Sequence, residues 1–187
     1  MTIAVAVRKN GQTVLAADSL VNFGGQRFPP ENCRFHKIYR MGSTSIVWAG
    51  WSLYAEMLTA HLAQNEPPTL ASEPEVFSFF VRFWRAMRED YTFISRSQQS
   101  GDHPFVDLES VFLLVNHAGM FRVAGDMDVT AFEQFCAIGS GSKYAMGALR
   151  VLYPQDLSAA EIALRAVQVG IDFDVHCGGD IDLVEVM

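Results

Sequence analysis

The sequence predicts an α+β chain whose pattern fits two stacked antiparallel sheets with helices on both outer faces. Three observations lead there. Strand patterns stand at both ends, over residues 3–8 and 181–186. Two pairs of helical patterns lie between them. Tight-turn signals at Asn10-Gly11 and His117-Ala118-Gly119 join neighbouring strand patterns into hairpins, which makes the pairing antiparallel.

Residues 3–8 alternate towards β, and a second apolar run over 13–17 ends at Asp18. Residues 34–39, Arg34-Phe35-His36-Lys37-Ile38-Tyr39, read as the start of a further strand. After a turn at Met41-Gly42-Ser43-Thr44, residues 45–49 form a short apolar strand that enters Gly50. Leu53, Met57, Leu58, His61 and Leu62 fall at helical spacing, and Asn65-Glu66-Pro67-Pro68 ends that run. A second helix starts near Ser72-Glu73-Pro74, where proline is tolerated in the first turn, and extends to about Thr92. Its stripe of Val76, Phe79, Phe80, Phe83 and Trp84 reads as a face packed on a sheet rather than a ligand box. Residues 95–107 are polar with Gly and Pro and are expected to form a mobile loop. Strands follow over 109–116, 120–124 and 135–138. Gly139-Ser140-Gly141-Ser142 then opens a helix through Tyr153, and Ser158-Ala159-Ala160-Glu161 is a capping box for the last helix.

With 187 residues, half of them hydrophobic, residues 1–187 are expected to form one globular domain. The net charge of −7 offers no basic face for phosphates, which argues against a nucleic-acid partner. Cys33, Cys136 and Cys177 are odd in number and widely spaced, so neither a disulfide framework nor a metal site is indicated. No apolar run approaches a membrane span, and no signal-peptide pattern is present. These features point to a soluble cytoplasmic protein without a cofactor.

The most informative residue for function is Thr2. Removal of Met1 would leave a hydroxyl and a free amine on one residue, so that the nucleophile carries its own base. An α-amino group titrates near ~8, and an appreciable fraction is neutral at pH 7. Small residues often follow an initiator methionine without any such chemistry. What singles this one out is the hairpin, which returns Asp18 to Thr2, and a basic residue, Arg34, that stands sixteen positions beyond Asp18 as a cation for its carboxylate.

In this order and spacing the chain resembles the proteasome β-type subunits, above all their bacterial HslV branch. The stretches Ile138-Gly139-Ser140-Gly141-Ser142, Leu157-Ser158-Ala159-Ala160-Glu161 and Asp174-Val175-His176-Cys177-Gly178-Gly179 extend the likeness over nearly the whole chain. The resemblance implies a four-layer αββα sandwich of the N-terminal-nucleophile hydrolase type. It also implies a double ring of identical subunits that cleaves unfolded polypeptides, fed by an ATP-dependent unfoldase whose identity the sequence does not disclose. By the same resemblance Thr2 is the nucleophile, Asp18 and Arg34 are its charge pair, Gly50 supplies the oxyanion donor, and Ser140 and Asp174 orient the amine. Substrate backbone would pair at Asn22 and Gly50, with Val21, Cys33 and Phe35 lining the pocket before the scissile bond.

Arg34 stands where the family carries lysine, and arginine pairs with a carboxylate but does not accept a proton. Lys37 would replace it only through a slip of three residues, which on a strand reverses inward and outward faces. The sequence therefore favours Arg34. Cys177 replaces a family serine, and Asp172 competes with Asp174 in the alignment. These departures keep open a catalytically silent ring protein and, beside it, a small-molecule amidase of the same wider group. Other readings are weaker. His176 and Cys177, as strand neighbours, point apart and make a poor thiol dyad. The Gly-Ser-Gly-Ser string lacks the ending of a phosphate-binding loop, and Asp172, Asp174, Asp180 and Asp182 read as a solvated edge.

Overall fold

A computed structural model describes residues 1–23, 25–28, 30–33, 35–91 and 108–186. The first hairpin forms as the Asn10-Gly11 signal predicts. Strands β1 (Ile3–Lys9) and β2 (Gln12–Asp18) pair antiparallel, with Ala4 opposite Ala17 and Lys9 opposite Gln12. Asn10 and Gly11 both take positive φ, as a two-residue turn of this kind requires.

A short hairpin, β3 (Val21–Phe23) with β4 (Gln26–Phe28), comes next. The strand expected from residue 34 begins only at Tyr39, as β5 (Tyr39–Met41), and 35–38 are irregular. Arg34 itself lies outside the described residues, as does the expected mobile loop over 95–107. Strand β6 (Thr44–Ala49) leads to helices α1 (Leu53–Gln64) and α2 (Glu73–Asp90). Then follow β7 (Val111–Val115), β8 (Met120–Val123), β9 (Val129–Phe132), β10 (Phe135–Gly139), helices α3 (Ser142–Leu152) and α4 (Ala159–Phe173), and β11 (Ile181–Val186).

One sheet has the order β10-β1-β2-β11 and the other β5-β6-β7-β8-β9, with antiparallel pairing throughout. Strand β1 is apolar on both faces, and its alternation assigns each face a different neighbour. Ala4 and Ala6, with Leu15 and Ala17, face the second sheet at Val47, Leu113, Val115 and Met120. Ile3, Val5 and Val7 face outward, under Leu149, Ile162, Ala166 and Val167 of α3 and α4. On the far side, Phe79, Phe80 and Phe83 of α2 pack on Trp48, Phe112, Leu114 and Phe121 of the second sheet. The aromatic stripe is therefore a helix face on a sheet, and the layers run α, β, β, α. Among the described residues, no helix is long and apolar enough to cross a membrane.

Two local devices hold the layers in register. Ser158 and Glu161 form a reciprocal capping box at the start of α4. Buried Asn116, at the end of β7, donates from Nδ2 to Thr44 Oγ1 and the Leu70 carbonyl. Its Oδ1 accepts from the amides of Ala118 and Gly119, which closes the β7–β8 turn. All four of its hydrogen bonds are made, so truncation leaves several buried partners unsatisfied. Asn116→Ala is expected to cost about 3 kcal/mol or more, against about 1 kcal/mol for Ser158→Ala. Chemical-denaturation midpoints of the two variants check that order, and equal losses would contradict it.

Candidate active site

Four chain segments converge at one end of the first sheet. Thr2 immediately precedes β1, and Asp18 ends β2. Gly139 ends β10 opposite Ile3, and residues 174–179 form the turn between α4 and β11. The second sheet contributes Gly50, directly after β6. Thr2 is only 6% exposed and Asp18 is fully buried.

A buried carboxylate requires compensation on every side. Asp18 Oδ1 accepts from the Ile3 amide at 2.9 Å and from Lys37 Nζ at 2.6 Å, while Oδ2 accepts from the Gly178 amide at 2.9 Å. The cation on Asp18 is thus Lys37, which the sequence disfavours against Arg34. The reason is local: alternation between faces constrains only a strand, and residues 35–38 are irregular, so the backbone turns Lys37 inward without any register slip. Lys37 Nζ also donates to the Met1 carbonyl at 3.2 Å. That carbonyl belongs to the peptide bond whose loss would free the Thr2 amine.

Burial, and after it the Lys37 ammonium, hold the α-amine of Met1 below its ordinary value. This amine donates to Asn22 Oδ1 at 3.4 Å, and Asn22 Nδ2 donates to the His176 carbonyl at 2.9 Å. The β3 edge is thereby tied to the α4–β11 turn. Behind Thr2, the side chains of Ser140, Asp174 and Cys177 meet. Ser140 Oγ lies 3.8 Å from Cys177 Sγ, and Cys177 Sγ donates to Asp174 Oδ2 at 3.6 Å. Burial opposes ionisation of Asp174. Hydrogen bonds from the Ser140 hydroxyl, the His176 amide and the Cys177 thiol outweigh it and leave this carboxyl below its usual range. Asp172 instead accepts from Gln168, on its own helix. The Cys177 thiol is pushed up to about 12, first by burial and next by Asp18, so it serves as a neutral donor. Among the described residues, no group of His, Cys, Asp or Glu is placed to hold a metal ion.

Two glycines shape the cavity walls. Gly50 has φ +147°, and a Cβ there would overlap Ser110 Oγ and the Glu109 carbonyl. Gly139, at φ +94°, brings its backbone against the Thr2 carbonyl so closely that a side chain is excluded.

A cavity of about 390 Å³ opens on one side of Thr2, lined by Leu20, Val21, Asn22, Phe35, Trp48 and Gly50. Lys37 and Trp51 also reach it. Cys33, expected to line this pocket, is not part of the wall. A second cavity of about 400 Å³ opens on the other side, and Met1, Thr2 and Gly50 border both. The sequence reading missed Trp48 and Trp51. Position 48 shares the alternate face of β6 with Ile46, a signal that marks it as buried on the α1/α2 side but says nothing of a cavity.

A family model described as "Proteasome subunit" matches residues 93–186. The chain is 32% identical, over 96% of its length and 91% of the relative's, to the ATP-dependent protease subunit HslV of Caulobacter sp. (strain K31). Among solved structures, Thiobacillus denitrificans BPH superposes with a TM-score of 0.90 at 27% identity, covering 98% of this chain and 96% of that one. The same protein in complex with epoxomicin gives 0.89 at 27% identity, with 98% and 97% coverage. HslV from Trypanosoma brucei shares the fold, with a TM-score of 0.67 at 23% identity over 98% of each chain.

The thiols supply a direct check on this geometry. Cys136 and Cys177 are buried, with pKa values pushed up to about 11 and about 12, whereas Cys33 is partly exposed. Iodoacetamide at pH 8 is expected to alkylate Cys33 in the native protein and all three cysteines after denaturation, as read by peptide mass spectrometry. Rapid native labelling of Cys177 would contradict its place behind Thr2.

Proposed function

Because the chain belongs to the proteasome subunit family, we propose that it is a threonine-type endopeptidase subunit that cleaves unfolded polypeptides once Met1 is removed. The observation that carries this reading is the buried Lys37–Asp18 pair, whose ammonium also touches the carbonyl immediately before Thr2. In the processed chain that carbonyl is gone, and a fixed positive charge is left beside the new amine and hydroxyl.

Thr2 Oγ attacks the scissile carbonyl and its proton passes to the Thr2 amine, directly or through a water. The Gly50 amide, at the junction of the two cavities, donates to the oxyanion, a contribution of about 3 to 4 kcal/mol in sites of this kind. The C–N bond then breaks, the leaving amine takes up the proton, and water hydrolyses the ester to return Thr2. Lys37 favours the neutral amine and the developing alkoxide by its charge. Ser140, Asp174 and the Cys177 thiol hold the amine's orientation from behind. Asn22 on the β3 edge and Gly50 pair with the substrate backbone, and Val21, Phe35 and Trp48 surround the side chain before the scissile bond. Arg34 is not needed in this scheme.

Subunits of this chain are proposed to assemble with one another into a double ring in the cytoplasm, supplied with unfolded substrate by an ATP-dependent partner. The catalytically silent alternative rests on Arg34 in the lysine position and on Cys177 in place of a serine; Lys37 on Asp18 weakens the first ground, and Cys177 Sγ still donates to Asp174.

Intact mass of the protein from its native host is expected to show loss of Met1, and epoxomicin is expected to label Thr2 covalently. Thr2→Ala abolishes both labelling and peptide cleavage, while Thr2→Ser keeps part of each. Cleavage unchanged in Thr2→Ala would end this mechanism.

The pH profile follows from the charge beside the new amine. Lys37 Nζ, 3.2 Å from the carbonyl ahead of Thr2 in the unprocessed chain, disfavours protonation of the Thr2 amine that processing would free. kcat/KM should therefore rise along one basic limb whose midpoint lies below the ~8 of a free α-amine. Lys37→Met should lower the rate by orders of magnitude and move any residual limb towards higher pH. A limb unmoved in that variant would show that Lys37 does not act on the amine.

A further inference from the structure

The second cavity is lined by backbone and small side chains, Ala49, Gly50, Ala137, Gly139, Ser140 and Ser142 among them, with one charged side chain, Arg122, on its wall. Arg122 lies on β8 between Leu113 of β7 and Thr130 of β9. It points to the same side of the sheet as Met120, into the space between the two sheets, and is half-buried there. Among the described residues, no carboxylate lines this cavity and Arg122 has no ion-pair partner. Asp128, on the approach to β9, accepts from the Thr130 hydroxyl. Cys136, which senses Arg122, is held protonated by burial. Among the described residues, Arg122 is therefore the one charged side chain on this cavity's wall, in a chain of net charge −7.

The direction of a bound substrate assigns this cavity a role. Asn22 on the β3 edge and the apolar walls at Val21, Phe35 and Trp48 all belong to the first cavity, so the acyl side of the substrate lies there. The chain beyond the scissile bond continues past Thr2 and enters the second. Resting on the peptidase reading above, we propose that Arg122 selects a carboxylate on the leaving side of the substrate, one or two residues beyond the scissile bond. That carboxylate is either an acidic side chain or the chain's own C-terminus. A planar guanidinium with several donors suits either one.

The test uses the full-length protein with Met1 removed and a series of quenched peptides that share one acyl side. C-terminally amidated peptides carry Glu, Gln or Lys at the first or second position after the scissile bond, and a short Gln peptide with a free C-terminus forms a separate arm. Glu is expected to exceed Gln by roughly tenfold in kcat/KM, mainly through KM, with Lys below both, and the advantage should shrink as salt rises. An advantage confined to the free-terminus peptide would identify the terminal carboxylate as the ligand. The ratio of Glu to Gln should fall to about one in Arg122→Gln, and Arg122→Glu should turn the preference towards Lys. Equal turnover of Glu, Gln and free-terminus peptides by the unmutated protein overturns the proposal, as does an acid preference that survives Arg122→Gln. An aminocoumarin amide with the same acyl side has no chain beyond the scissile bond and separates the two levels. If the unmutated protein cleaves it without any acid preference in the peptide series, this inference alone fails, and if it cleaves nothing, the peptidase reading fails as well.

Discussion

A carboxylate with no solvent contact is tolerable only when its charge is met, and Asp18 is met from three directions. Two of its donors are backbone amides, Ile3 N and Gly178 N, and the third is the Lys37 ammonium. The arrangement joins the start of β1, the end of β2, the turn before β11 and the segment before β5 at one point. Breaking any of these contacts exposes the others to the desolvation cost of an uncompensated ion, several kcal/mol in a buried setting. The same cluster sets the position of Thr2, because Ile3 N belongs to the peptide unit that follows it. Fold and site are thus held by one electrostatic constraint.

Around that constraint the αββα layering has a simple steric logic. The face of β1 towards the second sheet carries Ala4 and Ala6, which leaves room for Leu113, Val115 and Met120 opposite. Its other face carries Ile3, Val5 and Val7, which fill the space under α3 and α4. At the site end, Gly139 brings β10 against the Thr2 carbonyl where any side chain would collide. Neutral Cys177 fits the same pattern. A thiol held near 12 by burial and by Asp18 adds no second negative charge beside the carboxylate, and it still donates to Asp174.

Much of this was legible in the sequence where the signal is local. Asn10-Gly11, the capping box at Ser158, the helical spacing of 53–64 and the aromatic stripe of α2 each specify their structure over a few residues. The hairpin at Asn10-Gly11 also returns Asp18 to Thr2 as its local signal implies, whereas Gly50, Ser140 and Asp174 are singled out only through the likeness to the proteasome subunits. Short strands such as β3, β4 and β9 escaped, since three or four residues carry too little alternation to show a period. Lys37 escapes for a related reason: alternation between faces constrains strands, and residues 35–38 are not one. The rest of the cavity walls was illegible because it is non-local. Val21, Asn22, Phe35 and Gly50 are named through the family likeness, while Trp48, Trp51 and Arg122, from β6, the segment after it and β8, are brought round Thr2 only by packing.

The placement of Met1 bears on how such a protein is handled. Met1 borders both cavities at their junction, so any residues joined ahead of Thr2 would thread through the space proposed for the substrate. Strand β11 runs in the same direction as β1, away from the site. Its first residue, Ile181, sits opposite Asp18, and its last, Val186, sits opposite Thr13 near the hairpin turn. The two chain ends therefore leave the first sheet at opposite poles. A purification handle fused at the C-terminus stays clear of the two cavities, while one at the N-terminus is itself an occupant of them.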